Sequence, residues 1–393
     1  MAARVGKQPA WIFSDLGKVM TSVVISGSGF FAPDTVIDNE ELVASYNQHV
    51  AEFNAEHASA IAAEELPEKQ PSSPEFILKA SGIERRHVLN KSGVLATNRL
   101  SPELELRDDE QLGIQAEMAV AAARDALKAA DKDAADIDML LVACSNMQRA
   151  YPAVAIEVQN ALGCGGYAYD LNVACSSATF GLQAAVAAVT TGQAKCALVI
   201  SPEICSAHLN FSDRDCHFIF GDACTALLIE SRETCTVSGA WEVLDTKLFT
   251  QFSNNIRNNF GFLNSSEQPA RDSNDKLFKQ NGRSVFKEVS PAVASLIGER
   301  VEALGLEVDD IARFWLHQAN LNMNNLIAKR ILGRDATDDE APVVLNEYAN
   351  TSSAGCVIAF HQHNADLPAG SIGVMSSFGA GYSIGCAIVK RLP

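Results

Sequence analysis

Residues 169–201, with the sequence YDLNVACSSATFGLQAAVAAVTTGQAKCALVIS, contain the pattern that decides the fold. Residues 169–173 predict a buried β-strand, and the small side chains from Cys175 to about residue 191 predict a helix. Residues 196–201 are apolar and predict a second buried strand. This alternation of strands and helices is typical of α/β proteins, whose parallel sheets are covered by helices on both faces.

The second half of the chain repeats the pattern. Residues 343–377, VVLNEYANTSSAGCVIAFHQHNADLPAGSIGVMSS, again predict a strand, a short loop at Asn350, a helix start rich in small residues and another buried strand. The two copies are followed by similar endings, FGDACTALLIE at 220–230 and FGAGYSIGCAIVK at 378–390. A repeat of this length indicates a duplicated domain rather than a solenoid. We expect the halves to meet face to face at their two small-residue helices.

The repeat divides the chain into two halves. We assign residues 20–234 to the N-terminal half and residues 235–393 to the C-terminal half. Residues 1–19 precede the first convincing strand and are assigned to an N-terminal extension. The other predicted elements are strands at 21–29 and 139–143, helices at 39–62, 109–130 and 153–162, and an exposed loop at 64–74.

The charge of the chain limits its partners. Its 31 Lys and Arg residues and 48 Asp and Glu residues give a net charge of −17. Nucleic acid and anionic lipid would be repelled unless a local basic patch were present. No apolar run reaches the roughly 18–20 residues that span a bilayer. We therefore expect neither a nucleic-acid partner nor a membrane association.

The ten cysteines form no Cys-x-x-Cys pair and no Cys/His run with zinc-ligand spacing. Several lie in strand-like apolar runs, as expected of free thiols packed as small hydrophobes. This usage predicts a cytoplasmic protein without a metal site. Neither a P-loop nor a Gly-x-Gly-x-x-Gly run after a strand is present, so we predict no nucleotide cofactor.

Cys175 is the first candidate for chemistry. It lies between a predicted strand and a helix start, where unpaired N–H groups and the positive end of the helix dipole favour an anion. We expect this position to lower the pKa of the thiol and to supply backbone donors for acyl transfer. The alternative is a buried structural cysteine, which is the interpretation we give the other nine.

His317 and Asn350 are the other candidates. His317 follows the strand-like run FWL, where α/β sheets place ligands, and a neutral imidazole there can donate to an oxyanion or move a proton. Asn350 occupies the slot in the second half that Cys175 occupies in the first, although asparagine is also a common helix N-cap. The glycine-containing turn at 379–381 would let the backbone N–H of Ala380 complete an oxyanion hole with that of Cys175.

Four motifs resemble, in order, those of the ketoacyl-ACP synthase III family of thiolase-like condensing enzymes. They are VACSSAT around Cys175, LHQANLNMNNLIAKR around His317, EYANTSSAG around Asn350 and FGAGYSIG at 378–385. The resemblance runs from about residue 21 to the C terminus. It implies a duplicated, five-layered αβαβα thiolase-like fold, a homodimer and an acyltransferase of fatty acid biosynthesis or a related pathway.

The resemblance implies a role for each motif residue. Cys175 would be acylated by an acyl-CoA primer. His317 and Asn350 would stabilise the enolate formed when malonyl-ACP loses carbon dioxide. The enolate would attack the acyl-enzyme and give a 3-ketoacyl-ACP, with no cofactor beyond these two substrates.

Further matched positions predict contacts with substrates and with the acyl carrier protein. Tyr151, acting across the dimer, would shape the acyl pocket, and Phe378 would face the active site and contact the substrate. Arg214 and Phe76 would line the coenzyme tunnel. A basic patch for the acidic carrier protein is predicted at Arg283, Lys287, Lys329 and Arg330.

The chain departs from the family pattern at the coenzyme site. Phe76 stands where well-known members have tryptophan, Ala80 where an arginine is expected, and Asn322 where a basic residue usually follows His-Gln-Ala-Asn-Leu. We therefore expect coenzyme A to sit differently or to bind more weakly. Residues 46–73 form an insertion relative to compact members, and we hypothesise that it covers the tunnel mouth and shifts primer choice towards medium chains.

Three alternatives stay open. A head-to-head acyl-CoA condensing enzyme would use the same three residues but needs a glutamate near Tyr151. An enzyme like hydroxymethylglutaryl-CoA synthase would also need a glutamate base. A non-catalytic acyl-binding homologue would share the fold. The presence of Cys175, His317 and Asn350 together favours the condensing enzyme.

Overall fold

The computed structural model describes residues 21–267 and 273–393, and the predicted extension at 1–19 lies outside them. The strands are β1 (Val23–Phe31), β2 (Val36–Asp38), β3 (Arg85–His87), β4 (Met139–Ala143), β5 (Tyr167–Leu171), β6 (Cys196–Ile204), β7 (Asp222–Ser231), β8 (Trp241–Ser253), β9 (Ile256–Arg257), β10 (Lys279–Gln280), β11 (Ile311–Leu316), β12 (Ile372–Gly379) and β13 (Gly381–Arg391). The helices are α1 (Asn39–Glu56), α2 (Ala58–Ala62), α3 (Pro74–Ser81), α4 (Lys91–Leu95), α5 (Ile114–Ala129), α6 (Val154–Leu162), α7 (Ser177–Thr191), α8 (Gly282–Ala303), α9 (Leu321–Leu332), α10 (Leu345–Tyr348) and α11 (Ala354–Gln362).

One large sheet runs in the order β11-β12-β13-β8-β1-β7-β6-β4-β5 through the described residues. In the first half β4 is parallel to β6, whereas β6–β7 and β7–β1 are antiparallel. The second half repeats this, with β11 parallel to β12 and with β12–β13 and β13–β8 antiparallel. The halves join where Val24 and Ile25 of β1 pair with β8. The predicted duplication is confirmed, and the proposed division after residue 234 falls between β7 and β8.

The strands of the two halves form two β layers, and the helices lie in three layers between and outside them. Helices α7 and α11 lie in the middle, in one apolar cluster with strands of both halves. Helices α5 and α6 cover the outer face of the first half, and α8 and α9 cover the outer face of the second. The resulting order of layers is the predicted αβαβα fold.

Small side chains bring the two halves into close contact in the middle layer. A Cβ atom built on Gly385 of β13 would lie 2.0 Å from the hydroxyl oxygen of Thr179 on α7, so only glycine fits there. The hydroxyl oxygens of Thr179 and Ser377 of β12 lie 2.5 Å apart and form a hydrogen bond between the halves. Residues of the first half can therefore share a cavity with residues of the second.

Some predicted elements need correction. The strand predicted at the start of 343–377 is absent, and the short helix α10 precedes Asn350 instead. The side-chain carbonyl of Gln318 accepts the backbone N–H groups of Val344 (2.9 Å) and Leu345 (3.3 Å), which removes donors that a strand would use. The helix predicted at 109–130 begins later, as α5, and the one at 39–62 is divided into α1 and α2.

The predicted insertion at 46–73 folds back on α1. The side-chain amide of Asn47 donates to the carbonyl of Ser72 and accepts its backbone N–H, and the side-chain amide of Asn54 does the same with Lys69. Residues 47 and 54 are two helical turns apart and lie on one face of α1. Residues 69–72 of the returning chain are thereby bound to that face.

The described part of the chain contains no helix that is both long and apolar enough to cross a membrane. Its ten cysteines are all free thiols. Within the same residues there is no group of three or more His, Cys, Asp and Glu side chains that could hold a metal ion.

Candidate active site

Cys175 lies at the corner between β5 and α7. It is the middle residue of a single 3-10 turn, Ala174–Ser176, and α7 begins only at Ser177. Ala174 has a φ of +47°, a conformation that costs a residue with a Cβ atom about 1–2 kcal/mol. The sulfur accepts a hydrogen bond from the hydroxyl of Ser352 at 3.5 Å. A residue of the second half therefore contacts the candidate nucleophile directly.

Asn350 lies at the equivalent corner of the second half, before α11. It follows Ala349, whose φ is +56°. Its backbone N–H donates to the carbonyl of Ile219, and its side-chain oxygen accepts the N–H of Ser352 at 2.9 Å. Because this oxygen is already engaged, the amide nitrogen is the group that Asn350 can offer to a ligand.

His317 directly follows β11 and is 2% exposed. Its backbone N–H donates to the carbonyl of Ser376, and its ring packs edge-on against Phe378 with centroids 5.1 Å apart. Burial lowers the pKa of the imidazole to about 4, so His317 is neutral at neutral pH. Nδ1 is buried without a partner in the described residues, so the proton is best placed on Nε2, where no buried donor is left unsatisfied.

These three residues line one cavity of about 340 Å³. Phe76, Phe378 and Gly379 line it as well, together with residues of α8 and α9. A second cavity of about 410 Å³ also contains Cys175 in its wall, with Ala380 and Ser352. The structure thus brings the predicted Cys175, His317 and Asn350 together, with Cys175 between two chambers.

The pKa of Cys175 differs from the sequence-based expectation. Burial, together with the carboxyl of Glu203, raises the pKa of the thiol to about 11, although hydrogen bonds from Ser352 and from the backbone N–H groups of Cys175 and Ala380 act to lower it. The predicted lowering at a helix start is wrong because α7 begins two residues beyond the sulfur, and the effect of burial on the thiol outweighs that of the hydrogen bonds. The thiol is therefore the resting form at neutral pH.

The backbone around Cys175 agrees with the predicted oxyanion pair. The backbone N–H groups of Cys175 and Ala380 both hydrogen-bond to the sulfur and act to lower its pKa. A Cβ atom built on Gly379 would lie 2.6 Å from the Cβ atom of Cys175, so only glycine permits this approach. The role of the two N–H groups in catalysis stays a prediction.

The residues predicted for the coenzyme tunnel contact the insertion. The guanidinium carbon of Arg214 lies 4.1 Å from the ring centroid of Phe76. The Nε of Arg214 donates to the carbonyl of Pro71 at 2.8 Å, and Tyr46 stacks on His217 with ring centroids 4.4 Å apart. The segment 46–73 therefore packs against this side of the first cavity.

The other predicted contacts lie outside the two cavities. Tyr151 is 85% exposed and lines neither chamber of its own chain, so its predicted role across a dimer stays a prediction. The four basic residues predicted for carrier docking are exposed on α8 and α9, the two helices that also supply Val285 and Met323 to the wall of the first cavity. They are Arg283, Lys287, Lys329 and Arg330.

Sequence reasoning missed two polar residues of this site. Ser352 belongs to the quoted motif EYANTSSAG but was not singled out. Glu203 is a lone acidic residue in the apolar run 196–205, CALVISPEIC, and that isolation is the signal that could have identified it. Its carboxyl is hydrogen-bonded to Ser145 and Ser353, and burial raises its pKa to about 7.

Comparison with known proteins places this chain in a family. The model for 3-oxoacyl-[acyl-carrier-protein] synthase III matches residues 169–251, and the model for its C-terminal part matches residues 301–391. The chain is 58% identical over 347 residues to a beta-ketodecanoyl-[acyl-carrier-protein] synthase of Pseudomonas aeruginosa PAO1, covering 88% of this chain and 99% of that one. It is 30% identical over 377 residues to a beta-ketoacyl-[acyl-carrier-protein] synthase III of Granulibacter bethesdensis, covering 94% and 100%.

A solved structure supports the fold. The crystal structure of 3-oxoacyl-[acyl-carrier-protein] synthase III from Aquifex aeolicus VF5 matches with a TM-score of 0.72 at 23% identity, covering 94% of this chain and 99% of that one. This likeness shows the fold, and the sequence identity to the curated relatives shows the family. The chain therefore belongs to the 3-oxoacyl-[acyl-carrier-protein] synthase III family of condensing acyltransferases.

Proposed function

We propose that this chain catalyses the decarboxylative condensation of an acyl-CoA primer with malonyl-ACP to give a 3-ketoacyl-ACP. One observation carries the proposal: Cys175, His317 and Asn350, drawn from both halves, line a single cavity in a chain of this family. Acyl-CoA and malonyl-ACP are the only substrates, and the chemistry requires no metal or other cofactor.

In the first half-reaction, the sulfur of Cys175 attacks the carbonyl carbon of the acyl-CoA. A new sulfur–carbon bond forms, the bond to the coenzyme sulfur breaks, and the departing thiolate takes the proton that Cys175 loses. Because burial raises the pKa of the Cys175 thiol, this transfer accompanies bond formation rather than preceding it. The N–H groups of Cys175 and Ala380 are the donors for the tetrahedral oxyanion.

In the second half-reaction, malonyl-ACP loses its carboxylate as carbon dioxide. The electron pair of the broken bond forms an enolate, whose oxygen accepts hydrogen bonds from Nε2 of His317 and from the amide nitrogen of Asn350. The enolate carbon attacks the acyl thioester, and Cys175 leaves as a thiolate that takes a proton from solvent. The neutral state of His317 supports this role, because only the Nε2–H donor is required.

The primer that we propose is a medium-length acyl chain, with octanoyl-CoA as the best candidate. The relative that is 58% identical is named for a ketodecanoyl product, and removal of the two carbons that malonate contributes leaves eight. Support in this chain comes from the second cavity at Cys175, which adjoins a third of about 450 Å³. The wall of the third is largely apolar, with Leu104, Ile114, Met147, Ile204 and Leu277.

The insertion at 46–73 is proposed to cover the coenzyme side of the site. Its contacts with Arg214 and His217 support this placement. Replacing the outer part, residues 57–68, with a short Gly-Ser linker leaves the buried Tyr46 in place. We expect the linker variant to change the preference among acyl-CoA lengths, and an unchanged profile would count against the idea.

Two partners are proposed. The exposed basic residues Arg283 and Lys287 on α8 and Lys329 and Arg330 on α9 would receive the acidic carrier protein. A second copy of the chain would cover β5, the outer strand of the large sheet, where Tyr167 and Tyr169 are each 40% exposed. The mass of the particle in solution tests the homodimer, and a monomer would contradict it.

The test of the proposed function follows the intact mass of the protein. Incubation with octanoyl-CoA is expected to give one octanoyl adduct on Cys175, which malonyl-ACP then removes as 3-ketodecanoyl-ACP appears. A non-catalytic acyl-binding protein would form no covalent adduct. A head-to-head condensing enzyme would consume octanoyl-CoA without malonyl-ACP. Either of these results overturns the proposal.

A further inference from the structure

Glu203 of β6 is a buried carboxyl, 1% exposed, that connects the two halves. One of its oxygens, Oε1, accepts the backbone N–H groups of Ser145 (3.0 Å) and Ser353 (3.1 Å) and the hydroxyl of Ser353. The other, Oε2, accepts the hydroxyl of Ser145 at 2.5 Å. Ser145 follows β4 in the first half, and Ser353 directly precedes α11 in the second. A buried carboxylate is costly unless it is hydrogen-bonded, so this set of donors indicates a structured site.

Ser352 connects Glu203 to Cys175, the proposed nucleophile. Its φ of +50° is unfavourable for a residue with a Cβ atom and persists only where neighbours hold it. Asn350 accepts the N–H of Ser352 on one side, and Glu203 binds Ser353 on the other. In this conformation the Ser352 hydroxyl donates to the sulfur of Cys175 at 3.5 Å.

We propose that Glu203 is a positioning residue: by holding Ser353, it keeps Ser352 in the conformation that directs its hydroxyl to the Cys175 sulfur. The inference deepens the proposed function and rests on it for its meaning in catalysis. Glu203 itself lines neither cavity that contains Cys175. Glu203 affects the ionisation of Cys175 in two opposite ways. The Ser352 hydroxyl that it positions favours the thiolate, whereas the negative charge of its own carboxylate opposes the thiolate.

The surroundings of Glu203 allow these two effects to be separated. Burial raises the pKa of Glu203 to about 7 and that of Asp222, on the neighbouring strand β7, to about 6. Both carboxyls are therefore ionised at about pH 8. The thiols that respond to Glu203 stay protonated there, because burial raises the pKa of each; they belong to Cys144, Cys175, Cys205 and Cys224.

Alkylation of Cys175 by iodoacetamide, resolved by peptide mass spectrometry, measures thiolate reactivity without any acyl substrate. The substitution Glu203→Gln keeps the shape and the acceptor Oε1 but removes the charge, so alkylation at about pH 8 is expected to become about twofold faster. The substitution Glu203→Asp keeps the charge but shortens the reach to Ser353, so alkylation is expected to become about tenfold slower. Since no acyl-CoA is used, failure of the proposed function would not affect this result.

A matched control and a milder variant complete the test. Glu230→Gln removes another fully buried carboxylate, paired with Lys132 on the far side of the half, and is expected to leave Cys175 alkylation unchanged. If Glu203→Asp does not fold by circular dichroism, Ser353→Ala takes its place, with the same slowing expected. Opposite changes in the charge and reach variants support the proposal. No change in either, or a change in the same direction in both, overturns it.

Discussion

The corners at Cys175 and Asn350 share one backbone arrangement. In each, an alanine with positive φ precedes the functional residue, and a helix of small residues follows it. The element before each corner differs: β5 precedes the first corner, whereas α10 precedes the second. Before the second corner, the side chain of Gln318 accepts backbone N–H groups that a strand would use. The functional group differs as well, being a thiol in one corner and an amide donor in the other.

This difference indicates how a duplicated domain can divide a two-step reaction. The first corner presents a thiol, the proposed nucleophile, between two chambers, and the second presents an amide donor to only one of them. His317 joins the second corner through β11 of the same half. The acyl group would thus be held by the first half and the malonyl step performed by the second.

The largest expected effect comes from removing the nucleophile. Cys175→Ser should lower octanoyl transfer and condensation by about 10⁴-fold or more, because a serine hydroxyl in the same enclosed place ionises far less readily than a thiol. The measurement is the intact mass after incubation with octanoyl-CoA. Normal adduct formation in this variant would show that another residue carries the acyl group.

His317→Ala should separate the two half-reactions, acylation of Cys175 and decarboxylation of malonyl-ACP. Acylation of Cys175 is expected to survive, whereas release of carbon dioxide from malonyl-ACP should fall by about 10²–10³-fold when the Nε2 donor is lost. His361→Ala removes a partly buried imidazole that contacts Ser28 and serves as the control. Loss of acylation with decarboxylation intact would reverse the assigned roles.

Gly379→Ala tests how closely the second half must approach Cys175. The new Cβ atom would lie 2.6 Å from the Cβ and 3.1 Å from the sulfur of Cys175, so the nucleophile has to shift. A misplacement of about 1 Å costs roughly 10²-fold in rate, and a loss of that order is expected in the acylation step. Gly298→Ala on α8, which meets no atom within 4 Å, is the matched control. Equal acylation rates in the two variants would contradict the close approach.

The smallest effect concerns pH. Because burial lowers the pKa of His317 to about 4, its imidazole is neutral on both sides of the usual histidine pKa, and protonation removes nothing until the pH falls towards that lower value. The rate of malonyl-ACP decarboxylation by pre-acylated enzyme is expected to stay flat from about pH 7.5 down to about pH 5.5. A half-fall near pH 6.5 that His317→Ala abolishes would show that the imidazole is not held neutral.

Sequence patterns predicted the duplicated fold because a small-residue helix followed by a buried strand recurs in both halves. They also predicted the three candidate residues, since the short loops that contain them are local features of the sequence. The absence of a strand before Asn350 was not predictable, because it depends on Gln318, a residue distant in sequence. The raised pKa of Cys175 likewise depends on walls that both halves supply.

Glu203 and Ser352 also could not be assigned a contact from the sequence. Glu203 binds Ser353 across a separation of 150 residues, and Ser352 contacts Cys175 across 177. Their sequence neighbourhoods contain a lone acid in an apolar run and a serine in a motif, but neither shows which group it contacts. Tertiary packing alone supplies that information.

Asn350→Ala tests the division of labour between the corners most directly. The measurement records, on one sample, octanoyl adduct formation on Cys175 and carbon dioxide release from malonyl-ACP. We predict acylation at a rate close to that of the unaltered protein and loss of most decarboxylation, because the enolate has lost its second donor. Acylation that fails while decarboxylation continues, or two unaffected steps, would contradict the account.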